Sequence, residues 1–175
     1  MKAIGVDPGL TGAISLLCTE RGLLECADIP TCPNGTASGS MKRWLDAPAL
    51  AALVDDWAWR HDFARDAVAG VVERPIPMPT LPAQTIASQF DTFGAIRAIL
   101  ARRAAVHFVN PREWKKSFKL GNDKDIARAV CRDQHPTAPV TLVKHHNRAE
   151  SILIAHHWLL VNHGPIGQRR ALEAA

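Results

Sequence analysis

The sequence predicts a mixed α/β fold, with one sheet carrying helices on both faces. Three observations carry this expectation. Short apolar runs at residues 3–7, 12–18 and 23–29 lie near the N-terminus with only short turns between them. Later apolar runs, at 68–73 and 106–109, are separated by segments whose apolar residues recur every three or four positions. Closely spaced strands pair antiparallel through hairpins, whereas strands joined through a helix pair in parallel by right-handed crossovers. Finally, two of the runs deliver an acid to their end just before a proline, in Val6-Asp7-Pro8 and Val72-Glu73-Arg74-Pro75. A carboxylate at a strand end beside a turn stands at the rim of a sheet, where ligands collect.

Composition bounds the rest. The 175 residues suffice for one domain with a proper core, here residues 1–163, followed by a polar, small-residue tail from 164 to 175 that is expected to be flexible. Lys and Arg outnumber Asp and Glu by 21 to 17, so the net charge of +4 matters through its placement rather than its size. No apolar run reaches membrane-spanning length and the N-terminus lacks signal-peptide character, so a cytoplasmic protein without membrane partners is expected. Cys18, Cys26, Cys32 and Cys131 show no CxxC spacing, which argues for reduced thiols rather than a zinc ribbon or disulfide scaffold.

Taken in order, Glu20-Arg21-Gly22 makes the hairpin turn between the second and third strands. Residues 31–40 are rich in Pro, Gly, Ser, Thr and Asn without periodicity and read as a loop, closed by Lys42 and Arg43. Asp46 caps a helix beginning near Pro48, with Leu50, Leu53, Val54 and Trp57 facing the core; Trp59 is expected to pack as well. After the strand ending at Glu73, Pro75, Pro77, Pro79 and Pro82 require an ordered, semi-rigid loop. Ile86, Phe90, Phe93, Ile96 and Leu100 mark an amphipathic helix over 85–103, and Gly94 within it would let a second helix approach closely.

Asn110-Pro111 then starts a helix. Arg112, Trp114, Lys115, Lys116, Lys119 and Lys124 follow it, concentrating the positive charge in thirteen residues. Lysines interleaved with an aromatic suit a polyanion, and with Arg74 they form the predicted DNA-binding set. A short helix over 123–132 and an irregular connection over 134–142 lead to a last helix over 146–163. The first turn of that helix carries His146, Asn147 and Glu150. His145-His146 and His156-His157 lie about three turns apart, too far for one shared zinc ion.

Gly5-Val6-Asp7-Pro8-Gly9, Val71-Val72-Glu73 and His146-Asn147-Arg148-Ala149-Glu150-Ser151 together resemble the ribonuclease H-like superfamily, specifically RuvC-type Holliday junction resolvases of phage and prophage. Phe93-Gly94-Ala95-Ile96-Arg97 and Val109-Asn110-Pro111-Arg112-Glu113-Trp114-Lys115-Lys116 add to the likeness, which spans roughly residues 1–160. It implies a five-stranded ribonuclease H-like sheet and a homodimer joined through the helix at 85–103. It also implies an enzyme of a bacterial or phage-infected cell that nicks four-way or branched DNA in pairs.

In that scheme Asp7, Glu73 and Glu150 hold two Mg²⁺ or Mn²⁺ ions, which hard oxygen ligands favour. Lys115 and Lys124 match positions that approach the scissile phosphate. The family commonly uses four acids, yet none lies three or four residues before Glu150. His146 or Asn147 would fill that place, His146 as ligand or proton relay and Asn147 through its carbonyl oxygen, or else a water is the fourth ligand. Where relatives place an aromatic beyond the second acid stands Ile76, with Met78 near, so an apolar wedge replaces stacking.

Two other readings compete. The missing fourth acid fits a junction-binding protein that no longer cuts, and a ribosomal-RNA-processing nuclease would share the sheet and differ in substrate. An actin-like sugar kinase needs two duplicated domains, for which the chain has no room, so no nucleotide cofactor is expected.

Overall fold

A computed structural model describes residues 1–33, 43–121 and 123–164, and at Lys124 the backbone only. β1 (Lys2–Asp7), β2 (Ala13–Cys18) and β3 (Gly22–Asp28) form an antiparallel meander. β6 (Val68–Glu73) and β7 (Ala105–Val109) add in parallel on the other side of β1, giving the order β3-β2-β1-β6-β7. The mixed five-stranded sheet is the one the sequence predicts. One segment differs: Thr31–Pro33, expected as loop, is a short strand, β4, paired antiparallel with β5 (Arg43–Leu45). The polar composition described a connection, but its two ends satisfy each other's backbone groups across the residues between. Residues 34–42, including Lys42, and the expected tail from 165 onward lie outside the described residues.

Helices start where their sequences provide caps. Asp46 accepts a bond from the Ala49 N–H at 3.0 Å and opens α1 (Ala47–Arg60). α2 (Ala83–Leu100) follows the proline-rich loop, beginning directly after Pro82. Asn110 opens α3 (Pro111–Ser117): its side chain accepts from the Arg112 N–H at 2.9 Å, and the Glu113 carboxylate accepts from the Asn110 N–H at 3.4 Å. α4 (Lys124–Gln134) is capped by Asp123, and α5 (His146–His163) continues from a 3₁₀ turn at Val143–His145. Among the described residues no helix is long and apolar enough to cross a membrane.

The sheet separates two cores. On one face Ile4, Val6, Ile14, Leu16 and Val72 meet Leu50, Val54 and Trp57 of α1 and Ile96 and Leu100 of α2. On the other, Ala3, Leu17, Ala69 and Val71 meet Trp114 of α3, Cys131 of α4 and the buried side of α5. Trp57 is in the core as its spacing predicts, but Trp59 is 83% exposed. Two positions along a helix turn a side chain by some 200°, which carries Trp59 to the solvent side. All four cysteines are free thiols, and burial pushes Cys26 and Cys131 up to about 12.

Candidate functional site

Strand alternation decides where the acids go. Ala3 belongs to the α5-side core and Ile4 and Val6 to the opposite one, so Asp7, two pleats on from Ala3, falls on the α5 side. Ala69 and Val71 place Glu73 on that same side by the same count. The parallel register runs to Val6↔Val72, so Asp7 and Glu73 end neighbouring strands side by side.

Glu150 arrives from α5, and Gly5 is the reason it can. A Cβ at Gly5 would stand 2.1 Å from the Ser151 carbonyl oxygen and 2.6 Å from the Ala155 nitrogen, so the helix backbone lies directly on β1. The turn after Asp7 is equally tight. A Cβ at Gly12 would meet the Asp7 carbonyl oxygen at 2.0 Å, and the Gly9 N–H donates to that oxygen at 3.1 Å.

Glu73 and Glu150 each have a partner on this rim. The Trp114 indole N–H donates to Glu73 Oε2 at 2.5 Å. Burial, the largest cause, raises the Glu73 carboxyl above its ordinary range; the indole bond and the charge of Lys115 oppose this, while the charge of Glu150 adds to it. Lys115 Nζ lies 3.3 Å from Glu150 Oε1 and 5.2 Å from the Trp114 ring centroid. Asn147 donates through Nδ2 to the Thr11 carbonyl oxygen, pinning the start of α5 to the turn that follows Asp7. His146 Nδ1 faces the Val143 carbonyl oxygen at 3.4 Å.

Asp7, Glu73, Lys115, Asn147 and Glu150 are thus brought to one region of the rim, with His146 beside Asn147. Other predicted residues are placed differently. Trp114 was expected as a stacking surface for DNA, but it is 0% exposed. Its ring fills the core beneath α5 and only its N–H serves the rim, so it cannot receive a base. Arg74 is exposed, with its guanidinium 6.0 Å from the Phe108 ring centroid. Arg112 and Lys116 are exposed on α3. Lys119 is exposed beyond the end of α3, at a positive φ of 53°. It lines a cavity of about 720 Å³ with the β2–β3 turn and the end of α4, facing away from the acids. The Lys124 side chain is outside the description. Ile76 and Met78 are both exposed, beyond Glu73.

Two supports were missed in the sequence. Gly5 carried a signal, since a glycine inside an apolar strand marks a close backbone approach. Arg148 carried none: it grips Asp28 at the end of β3 with two bonds of 2.6 and 2.7 Å, and this holds the Asp28 carboxyl below its usual range.

The donor set consists of hard oxygens, and the charge of Glu150 bears on Glu73 in the direction a bound cation would offset. In chemistry the residues fit a divalent ion of the Mg²⁺ type. No three His, Cys, Asp or Glu side chains among the described residues form a group that could already hold one.

No protein-family model and no curated protein matches the chain. Among solved structures it is similar to Thermus thermophilus RuvC in complex with a Holliday junction substrate, at a TM-score of 0.63 and 17% identity, covering 95% of this chain and 98% of that one. A second Thermus thermophilus RuvC structure gives a TM-score of 0.52 at 17% identity, covering 92% and 96%. At that identity the likeness shows a RuvC-like fold.

Proposed function

We propose that the chain is a Mg²⁺- or Mn²⁺-dependent, structure-selective DNA endonuclease that resolves four-way or branched DNA by paired nicks. The observation that carries the reading is the gathering of Asp7, Glu73 and Glu150, from three elements far apart in sequence, at one end of a sheet. The RuvC-like fold supports it, since a similar protein is described bound to a Holliday junction.

Asp7, Glu73 and Glu150 would hold two ions, with Asn147 or His146 in the fourth position. Such ions supply an activated water and neutralise charge on a phosphodiester. The remaining work falls to the chain itself. Lys115 neutralises Glu150 and, released from it, offers its ammonium to the charge that develops on the phosphate. Asn147 fixes the helix start against the turn behind Asp7. Arg74, Arg112 and Lys116 face solvent, open to the DNA backbone, as Lys119 would be only to a strand that wraps past α3. Ile76 and Met78 are the apolar wedge at the point of junction opening.

Paired nicks require two sites and hence a dimer. The outward side of α2 is the proposed interface: Phe90 is exposed there, and a Cβ at Gly94 would meet nothing within 4 Å, which leaves room for a second helix.

Cleavage of a synthetic four-way junction in Mg²⁺ or Mn²⁺ tests the reading. Wild type is expected to cut, and Asp7→Asn to lose at least about a hundredfold in rate, comparable to the loss of a transition-state charge stabiliser. An inert wild type, or a mutant that cuts equally well, removes it. The absence of an acid three or four residues before Glu150 favours a second reading, a junction binder without cleavage. Salt-dependent binding with no metal-dependent nicking would establish that one instead.

A further inference from the structure

The bond from Trp114 to Glu73 has a role that neither the fold nor the acid cluster assigns. We propose that Trp114 is a positioning residue, whose buried indole N–H holds Glu73 Oε2 and leaves the other carboxylate oxygen to face a cation. The inference rests on the nuclease reading and deepens it.

Three observations carry it. Trp114 is completely buried among Val109, Ile152, Leu153 and other residues of the α5-side core. A buried indole N–H has no water to turn to and needs a protein acceptor, and here that acceptor is a carboxylate at 2.5 Å. A ring locked on all sides is a rigid anchor, unlike an exposed lysine or arginine that would have to be ordered first.

The path from anchor to acid is also short. Glu73 is paired in register with Val109 of β7, and the Asn110-Pro111 cap starts α3 immediately after that residue. Trp114 therefore reaches back across one strand spacing from a helix whose start is fixed by its cap. The next residue on the same helix, Lys115, holds Glu150. Consecutive side chains of α3 thus each take one of two acids whose charges repel. A carboxylate ligand oriented by a hydrogen bond to its second oxygen binds metal better than a free one. Such outer partners typically carry about 10–100-fold in affinity or activity.

The first test needs no metal and no DNA. In a ¹H–¹⁵N spectrum of the whole chain, which has five tryptophans, the assigned Trp114 indole proton is expected well downfield and shifted upfield by Glu73→Ala. An unmoved signal means that the bond is absent in solution, and the inference falls whatever the enzyme does.

The second test is Mn²⁺ binding by calorimetry to wild type and Trp114→Phe, which keeps a ring and loses the donor. The variant should bind Mn²⁺ tenfold or more weakly and need proportionately more Mn²⁺ for cleavage, with junction affinity in Ca²⁺ unchanged. Equal Mn²⁺ affinity overturns the positioning role and leaves the nuclease standing. A wild type that binds Mn²⁺ but never cuts a junction overturns the nuclease while the calorimetry still decides the role of Trp114. If wild type binds no Mn²⁺, both fall. Should Trp114→Phe fail to fold, the spectrum of Glu73→Ala remains decisive on the bond.

Discussion

The two faces of the sheet are built from different materials. Toward α1 and α2 the central strands present large branched side chains, Ile4, Val6, Ile14, Leu16 and Val72. Toward α5 the two central strands present Ala3, Gly5, Ala69 and Val71 before ending in Asp7 and Glu73. Large residues keep a helix at ordinary packing distance; small ones let its backbone settle on the strand. The first face is a stabilising layer. On the second, closeness is what brings the start of α5, with Asn147 and Glu150, to the acids on the strand ends. The difference teaches that the site depends on missing side chains as much as on present ones.

The comparison breaks most sharply in catalysis. Glu150→Gln, on the α5 side, should abolish junction cleavage, whereas Asp55→Asn, which unties Arg102 and Arg103 near α1 and α2, should leave the cleavage rate unchanged. Equal losses would mean that the two faces are not functionally distinct.

Glycine substitutions give the next largest effect. Gly5→Ala forces a methyl into the α5 backbone and should cost about 3 kcal/mol or more in denaturant unfolding. Gly70→Ala, on the opposite face of β6, meets Leu100 side-chain atoms at 3.4 and 3.5 Å and the Ala104 Cβ at 3.7 Å, and should stay within about 1 kcal/mol of wild type. If Gly5→Ala is tolerated as well, the close approach of α5 is not a constraint.

The α5 face also carries a buried polar pair. His135 Nε2 and His156 Nδ1 are 2.9 Å apart, joining α4 to α5. Burial lowers both, His135 to about 4 from an ordinary value near 6.5. Because the folded pKa is depressed, the unfolded chain takes up the proton first. Stability should then be full above about pH 6.5 and fall as pH drops toward 4, by a loss on the order of 3 kcal/mol attributable to His135. Melting temperatures across that range check this, and His135→Gln should flatten the slope.

Smallest is the Arg148–Asp28 bridge. Asp28 is largely exposed, so Arg148→Met should cost under about 1 kcal/mol in unfolding. Its effect on the cation concentration needed for cleavage should be larger, since the bridge steadies the helix start that carries Glu150.

By itself the sequence determined the order and type of the sheet's strands, the capped starts of α1 and α3, and the delivery of Asp7 and Glu73 to strand ends. Period and capping are local properties that a chain expresses before it folds. Tertiary structure alone decided that Gly5 seats α5 on β1, that Asn147 reaches the turn at Thr11, and that Lys119 faces a cavity away from the acids. It also decided that Trp114, placed by its lysine neighbours among residues for DNA, turns into the core and offers Glu73 its N–H. A pattern of charges states which residues share a segment. Which of them face inward depends on the space left by elements distant in the chain, and only packing sets that.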